Sequence, residues 1–239
     1  MKENWDIKVV NDFAGYPFIV VDDWYSDSEL NNIWKELDFY LAVEKDKIMR
    51  AENTTVARRP DGTSKSNAFR FYLDDRYDKH REASPILNAM YKQTSKQFGD
   101  SLKECKPYYR SFYSTNFDCS MVSYYENNDH YDAHHDTYLW TNLIWVYKEP
   151  RRFEGGDLFL DDIDVEIKVK NNRAVFFPSC YLHRVTPVKM NEGNFNDGYG
   201  RFCITHFYGS YPPTMNKDLK FTANKREDTY KAIAKNENK

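Results

Sequence analysis

The sequence predicts a mostly β protein with flanking helices (α+β), its strands folded as a sandwich or barrel. Beyond Pro107, short aromatic or β-branched runs alternate with turn signals: MVSYY, TNLIWVY, GDLFL, DVEIKVK, RAVFFP and RFCITHFYG. Aromatic residues make up 17% of the 239-residue chain, with 19 Tyr, 16 Phe and 5 Trp, and such side chains favour pleated, half-buried surfaces. Helical periodicity, by contrast, is strong only in two stretches before Pro107.

Taken in order, PFIVVDDWY (17–25) is a short apolar, β-branched run and predicts a strand. SDSE follows, with Ser26 and Glu29 at capping-box spacing, and then Leu30, Ile33, Trp34, Leu37 and Leu41 recur at helical intervals. From about Lys47 to Arg70 periodicity is lost, and RRPDGTSKS reads as a loop. A second helix is expected over 84–102, with Leu87, Met90, Tyr91, Phe98 and Leu102 on one face. In DVEIKVK, Val165, Ile167 and Val169 alternate with charged residues, the period of a half-exposed strand. The tail after Pro213 is charged and expected to be helical or frayed. The length suits a single domain over 1–239: an N-terminal helical support (about 1–106), a β core (about 107–212) and a polar C-terminal tail (213–239).

The net charge of -3 gives no overall basic field, so neither nucleic acid nor a membrane surface is an expected partner. Cys105, Cys119, Cys180 and Cys203 are scattered without a CxxC pair and read as free thiols of a reducing compartment. MKENWDIKVV has no apolar core of a leader, and no run approaches membrane-spanning length; a cytoplasmic location is expected.

The stretch YYENNDHYDAHHDTY (124–138) gathers three of the six histidines and three aspartates between tyrosines. On an extended chain residues i and i+2 share a face, so His134 and Asp136 can meet one cavity while His135 faces away. A third donor has to come from another strand, and His183 in FFPSCYLHRVTPV is the candidate. Two histidines and a carboxylate on one face are the arrangement of non-haem Fe(II) oxygenases, which leaves positions open for oxygen and a bidentate co-substrate. The same donors also suit Zn2+, although HExxH is absent.

These pieces occur together and in order. YYENNDHYDAHHD resembles the iron-binding strand of prolyl 4-hydroxylases, EGGDLFL their Gly-Gly turn, RAVFFPSCYLHRVTPV their distal-histidine strand and GRFCITHFYG their final core strand. Over about residues 117–209 the chain is thus similar to 2-oxoglutarate- and Fe(II)-dependent oxygenases of the prolyl 4-hydroxylase-like branch. The resemblance implies a double-stranded β-helix (jelly roll, cupin-like) and iron held by His134, Asp136 and His183. It further implies Arg201 on the far carboxylate of 2-oxoglutarate, with Tyr125 and Thr205 also facing that co-substrate. A guanidinium suits a carboxylate because it donates two parallel hydrogen bonds. Arg184 is the competing cation, but as neighbour of a ligand it should alternate away from the cavity. The segment KMNEGNFNDGYG, between the two, reads as a hairpin extension. Trp145 is expected as pocket wall, His206 as structural, His130 as surface, and Gly155 and Gly156 as backbone geometry.

The implied reaction is a dioxygenase hydroxylation of a C–H bond, coupled to decarboxylation of 2-oxoglutarate to succinate, with ascorbate as reductant. The implied substrate is a prolyl or other residue of a peptide or protein. The alternatives are a free amino acid or small metabolite, or a non-catalytic cupin-like metal protein. The basic segment 47–70, with Arg58 and Arg59, sits where prolyl hydroxylases carry a mobile substrate loop.

Overall fold

The computed structural model describes residues 3–13, 15–44, 48–77, 79–190 and 197–210. The tail expected at 213–239 and residues 191–196 of the expected hairpin extension lie outside the described residues.

Fourteen strands are described, in two facing antiparallel sheets and a small two-stranded ribbon. The major sheet contains β1 (Asp6–Val10), β2 (Phe18–Asp22), β3 (Met49–Arg50), β4 (Phe69–Tyr72), β5 (Phe117–Tyr125), β7 (Trp140–Val146), β11 (Arg173–Pro178) and β14 (Arg201–Gly209). They run in the order β1-β2-β11-β7-β14-β5-β4-β3. The minor sheet contains β6 (Tyr131–His134), β9 (Leu158–Leu160), β10 (Val165–Ile167) and β12 (His183–Val185), in the order β10-β9-β12-β6. The ribbon pairs β8 (Phe153–Gly155) with β13 (Val188–Met190). This is the double-stranded β-helix expected from the resemblance.

Strand alternation divides the core in two. On β14, Phe202, Ile204 and Tyr208 pack with Val122 and Tyr124 of β5 against the helices. The alternate residues turn inward between the sheets, where Cys203 and Tyr125 join Trp145, Leu158, Val175 and Phe177. Helix α1 (Asp27–Val43) covers the outer face of the major sheet. Its capping box forms as the sequence predicts, Ser26 accepting from the Glu29 amide while the Glu29 carboxylate accepts from Ser26.

The helix expected over 84–102 is broken. It consists of α2 (Pro85–Asn88), a 3-10 stretch (Ala89–Thr94) and α3 (Lys96–Glu104). Ser84, the first residue of the expected helix, and Ser95, inside it, are both caps: Ser84 accepts from Leu87 N–H and Ser95 from Phe98 N–H. The break rotates the face, so Tyr91 is 52% exposed while Lys92 is buried and paired with Glu3 and Glu29. The expected loop at 47–70 also contains order: β3 lies within it, and Arg70 belongs to β4, which pairs with β5.

His206 faces the helices, where its Nδ1 meets Ser120 Oγ at 2.8 Å. Burial, aided by the Arg81 guanidinium, pushes its pKa down to about 3. The folded imidazole therefore stays neutral where the unfolded one, near 6.5, takes a proton. Stability from this site is complete above about pH 6.5 and is lost as pH falls from there towards 3, at about 1.4 kcal/mol per pH unit. Denaturant unfolding at pH 7 and pH 4.5 should show a smaller acid loss for His206→Gln than for the wild-type chain. Equal losses would show that this histidine is not buried neutral.

Candidate metal centre and its cavity

The site is built where β6 of the minor sheet meets β12. The pairing sets His134 directly opposite His183. Asp136 lies just past β6, where its amide donates to Ser179 O at 3.0 Å. One donor atom from each of the three residues lies within 4.8 Å of the others, and no ion is part of the structure. His134 Nε2 is 3.6 Å from Asp136 Oδ1, and His183 Nε2 is 3.5 Å from Asp136 Oδ2.

Hydrogen bonding fixes both imidazoles in one tautomer. His134 Nδ1 lies 2.9 Å from Asp132 O and His183 Nδ1 2.8 Å from Tyr181 O. A carbonyl only accepts, so each Nδ1 carries the proton and each Nε2 lone pair faces the shared space. Burial brings the His183 pKa down to about 4, with Asp136 opposing and His134 assisting, so this ring is neutral at physiological pH. Burial pushes Asp136 upward, but His183, His134 and the Thr141 hydroxyl together hold it below the usual carboxylate range. Thr141 Oγ1 donates to Asp136 Oδ2 at 2.7 Å. A neutral His183 beside an ionised Asp136 is the protonation state that a divalent metal requires of those donors.

The cavity around these groups is lined from the inner face of the major sheet by Arg70, Ser123, Tyr125, Arg201, Cys203 and Thr205, among others. Arg201 is fully buried, and none of its three guanidinium nitrogens has a hydrogen-bond partner among the described residues. It lies against aromatic faces instead, 4.6 Å from the Tyr125 ring centre and 5.6 Å from that of Trp145. Arg184 points elsewhere, over Phe159 and paired with Asp161. His135 is exposed, and His130 is half-buried, its ring next to Asn128 O.

Arg58 and Arg59 are not among the residues lining this cavity. Arg58 donates to Glu52 O and Gly62 O within its own segment. Arg59 pairs with Asp132, and Lys65 Nζ donates to Ala133 O at 2.7 Å, so the segment is strapped onto the strand that carries His134.

Several neighbours were not singled out by sequence reasoning. Thr141 holds Asp136, Tyr131 stacks on the His134 ring with centroids 3.5 Å apart, and Arg70 enters the cavity from β4. Only strand register brings them here, and nothing in a lone Thr, Tyr or Arg announces it. Gly156 does carry a signal. Gly155 and Gly156 both have positive φ, as the Gly-Gly turn suggests, but a Cβ on Gly156 would also come within 2.7 Å of Arg201 Cδ.

Paired sheets with a two-histidine, one-carboxylate cluster facing a buried cation are the kind of arrangement found in jelly-roll metalloproteins of the non-haem oxygenase type. Residues 120–209 match the family model of the 2OG-Fe(II) oxygenase superfamily. Among solved structures, a Pseudomonas putida prolyl-4-hydroxylase is similar at 16% identity and a TM-score of 0.51, over 84% of this chain and 97% of that one. The viral collagen prolyl hydroxylase vCPH from Paramecium Bursaria Chlorella virus-1 is similar at 17% identity and a TM-score of 0.50, over 82% and 90%. At such identities the likeness is one of fold. No curated protein matches the chain. No helix among the described residues is long and apolar enough to cross a membrane.

The two glycines should respond differently to a methyl group. In Gly155→Ala the obstacle is the Pro187 carbonyl oxygen at 2.3 Å, which is backbone; in Gly156→Ala it is the side chains of Arg201 and Val188. Both pay about 1–2 kcal/mol for the left-handed backbone, and Gly155→Ala should lose more because its obstacle cannot rotate away. Thermal melts of the two variants check the order; a larger loss in Gly156→Ala would reverse this reading of the turn.

Proposed function

We propose that the chain hydroxylates an unactivated C–H bond of a prolyl or other residue of a peptide or protein, converting 2-oxoglutarate to succinate. The observation that carries this reading is the sharing of one cavity by His134, Asp136, His183 and the unpartnered Arg201 guanidinium. A second reading, the same reaction on a free amino acid or small metabolite, is favoured by a further arginine in that cavity, Arg70, whose Nε and Nη2 have no partner among the described residues. The fold likeness to prolyl hydroxylases supports the first.

In this reading His134 and His183 offer Nε2 and Asp136 a carboxylate oxygen to Fe(II), while Thr141 and the two backbone carbonyls keep those donors oriented. Arg201 holds the far carboxylate of 2-oxoglutarate, with Tyr125 and Thr205 beside it and Trp145 as wall. Burying an unpaired guanidinium is costly, and a bidentate carboxylate removes that cost. Bound together, iron and 2-oxoglutarate supply the oxidation: 2-oxoglutarate and O2 become succinate and CO2, and the second oxygen atom enters the substrate C–H bond. The protein contributes orientation and a shielded cavity. Ascorbate is the proposed reductant that keeps the metal ferrous. Segment 48–70, through the Arg59–Asp132 pair and the Lys65 contact, is the proposed cover over the substrate side. The four unpaired cysteines accord with action in the cytoplasm.

His134→Ala and His183→Ala should each reduce Fe(II)-dependent succinate formation to background while leaving the thermal unfolding transition in place. Full turnover by either variant at limiting iron would remove the metal assignment. Arg201→Ala should raise the 2-oxoglutarate requirement by roughly two to three orders of magnitude, the cost of losing one partner of a buried charge pair. Arg184→Ala should leave it near the wild-type value, because its partner is Asp161, which does not line the cavity. The ratio of the two constants is the informative measurement, and a larger effect at Arg184 would reverse the assignment.

A further inference from the structure

Arg70 is the second cation of the cavity, and the reading above gives it no task. It projects from β4 in register with Ser123, which is itself in register with Cys203, so the three side chains form one inward-facing row. It is 2% exposed, and its Nε and Nη2 have no hydrogen-bond partner among the described residues. Its guanidinium carbon lies 4.9 Å from the centre of the Tyr131 ring, and Tyr131 in turn stacks on His134. Arg70 thus stands on the His134 side of the cavity, while Arg201 stands against Tyr125 and Trp145. The two arginines root two strands apart and one row out of step. With strands about 4.8 Å apart and a rise of about 3.4 Å per residue, their Cα atoms are on the order of 12 Å apart.

Charge shows what is missing. In the proposed complex, Asp136 contributes -1, 2-oxoglutarate -2, Fe(II) +2 and the two arginines +2, which leaves a single positive charge in a largely buried site. A carboxylate set against Arg70 cancels it locally, and a planar carboxylate fits Nε and Nη2, the two forked donors that have no partner among the described residues. An internal prolyl or other neutral residue of a peptide brings no carboxylate, whereas a free amino acid or a chain end does. We infer that Arg70 is a substrate-binding residue that holds a carboxylate of the molecule to be hydroxylated, so that the substrate is a carboxyl-bearing amino acid, free or at a chain end. The inference rests on the proposed iron and 2-oxoglutarate site and names the substrate class of that site.

The test is calorimetric and involves no turnover. The protein is loaded with Mn(II) and saturating 2-oxoglutarate under nitrogen. The twenty L-amino acids are then titrated in three forms: free acid, carboxamide, and C-terminal residue of a glycyl dipeptide. For at least one side chain the wild-type protein should bind the acid about tenfold or more tightly than the amide, Arg70→Gln should lose that preference, and Arg70→Lys should retain part of it. A dipeptide that binds like the free acid assigns the carboxylate to a chain end, and one that fails assigns it to a free amino acid; either supports the inference. No preference for any acid in wild type, or a preference that survives in Arg70→Gln, overturns it. Should Arg70→Gln fail to fold, the wild-type comparison of acid with amide and the Arg70→Lys titration still decide. 2-Oxoglutarate affinity, measured in parallel, separates the two levels of the argument. A loss in Arg70→Gln as large as that in Arg201→Gln would make Arg70 a second clamp on the co-substrate and end the inference. Unchanged affinity in both variants would instead overturn the 2-oxoglutarate assignment beneath it.

Discussion

The short antiparallel contact between β6 and β12 is the constraint on which the site depends. Neither strand is longer than four residues, yet their register alone sets His134 opposite His183. A slip of one residue would turn His135 inward and move His134 out, because strand side chains alternate. Several bonds resist that slip. Asp136 N–H donates to Ser179 O, Thr141 bridges Asp136 and Ser179, and from the preceding segment Lys65 Nζ donates to Ala133 O while Arg59 pairs with Asp132. Polar groups usual for a loop edge here hold one register.

The cavity is electrostatically expensive. Two guanidinium groups lie almost out of water, and Asp136 is the acidic residue lining the same cavity. An unpaired buried charge costs several kcal/mol even after relaxation. Aromatic faces offset part of this, Tyr125 and Trp145 for Arg201 and Tyr131 for Arg70. The remainder is a standing preference for anions. That preference, rather than hydrophobic fit, sets which molecules the cavity favours.

Chemistry concentrated in the chain was legible in the sequence. HxD alone is common, but the order of the surrounding runs and their resemblance to a known family pointed to His134, Asp136 and His183, which the structure brings together, and alternation sent Arg184 outward and His206 to the opposite face. Strand runs such as RFCITHFYG and DVEIKVK were readable for the same reason. The cap at Ser95 was not, because a serine inside an apolar period looks like a tolerated helix residue. Arg58 and Arg59 drew attention by their charge, while the structure spends that charge within the segment and on Asp132. Arg70 was obscured by its neighbours: FRFY follows a turn-rich stretch, and its period-2 pattern emerges only when β4 is seen beside β5.

The two arginines also differ in how firmly the fold holds them. Arg201 is on β14, bonded on both sides to long strands, β5 and β7, and its alternate residues anchor the helix-facing core. Moving it would disturb both cores. Arg70 is on β4, whose outer partner β3 contributes only two residues. A cation on the central strand suits a co-substrate that is the same in every turnover. A cation near the sheet edge, backed by a short strand and the segment strapped across β6, can shift with the molecule that enters. The division assigned to them, fixed co-substrate on Arg201 and entering carboxylate on Arg70, is therefore the one that sheet mechanics favours, independently of charge.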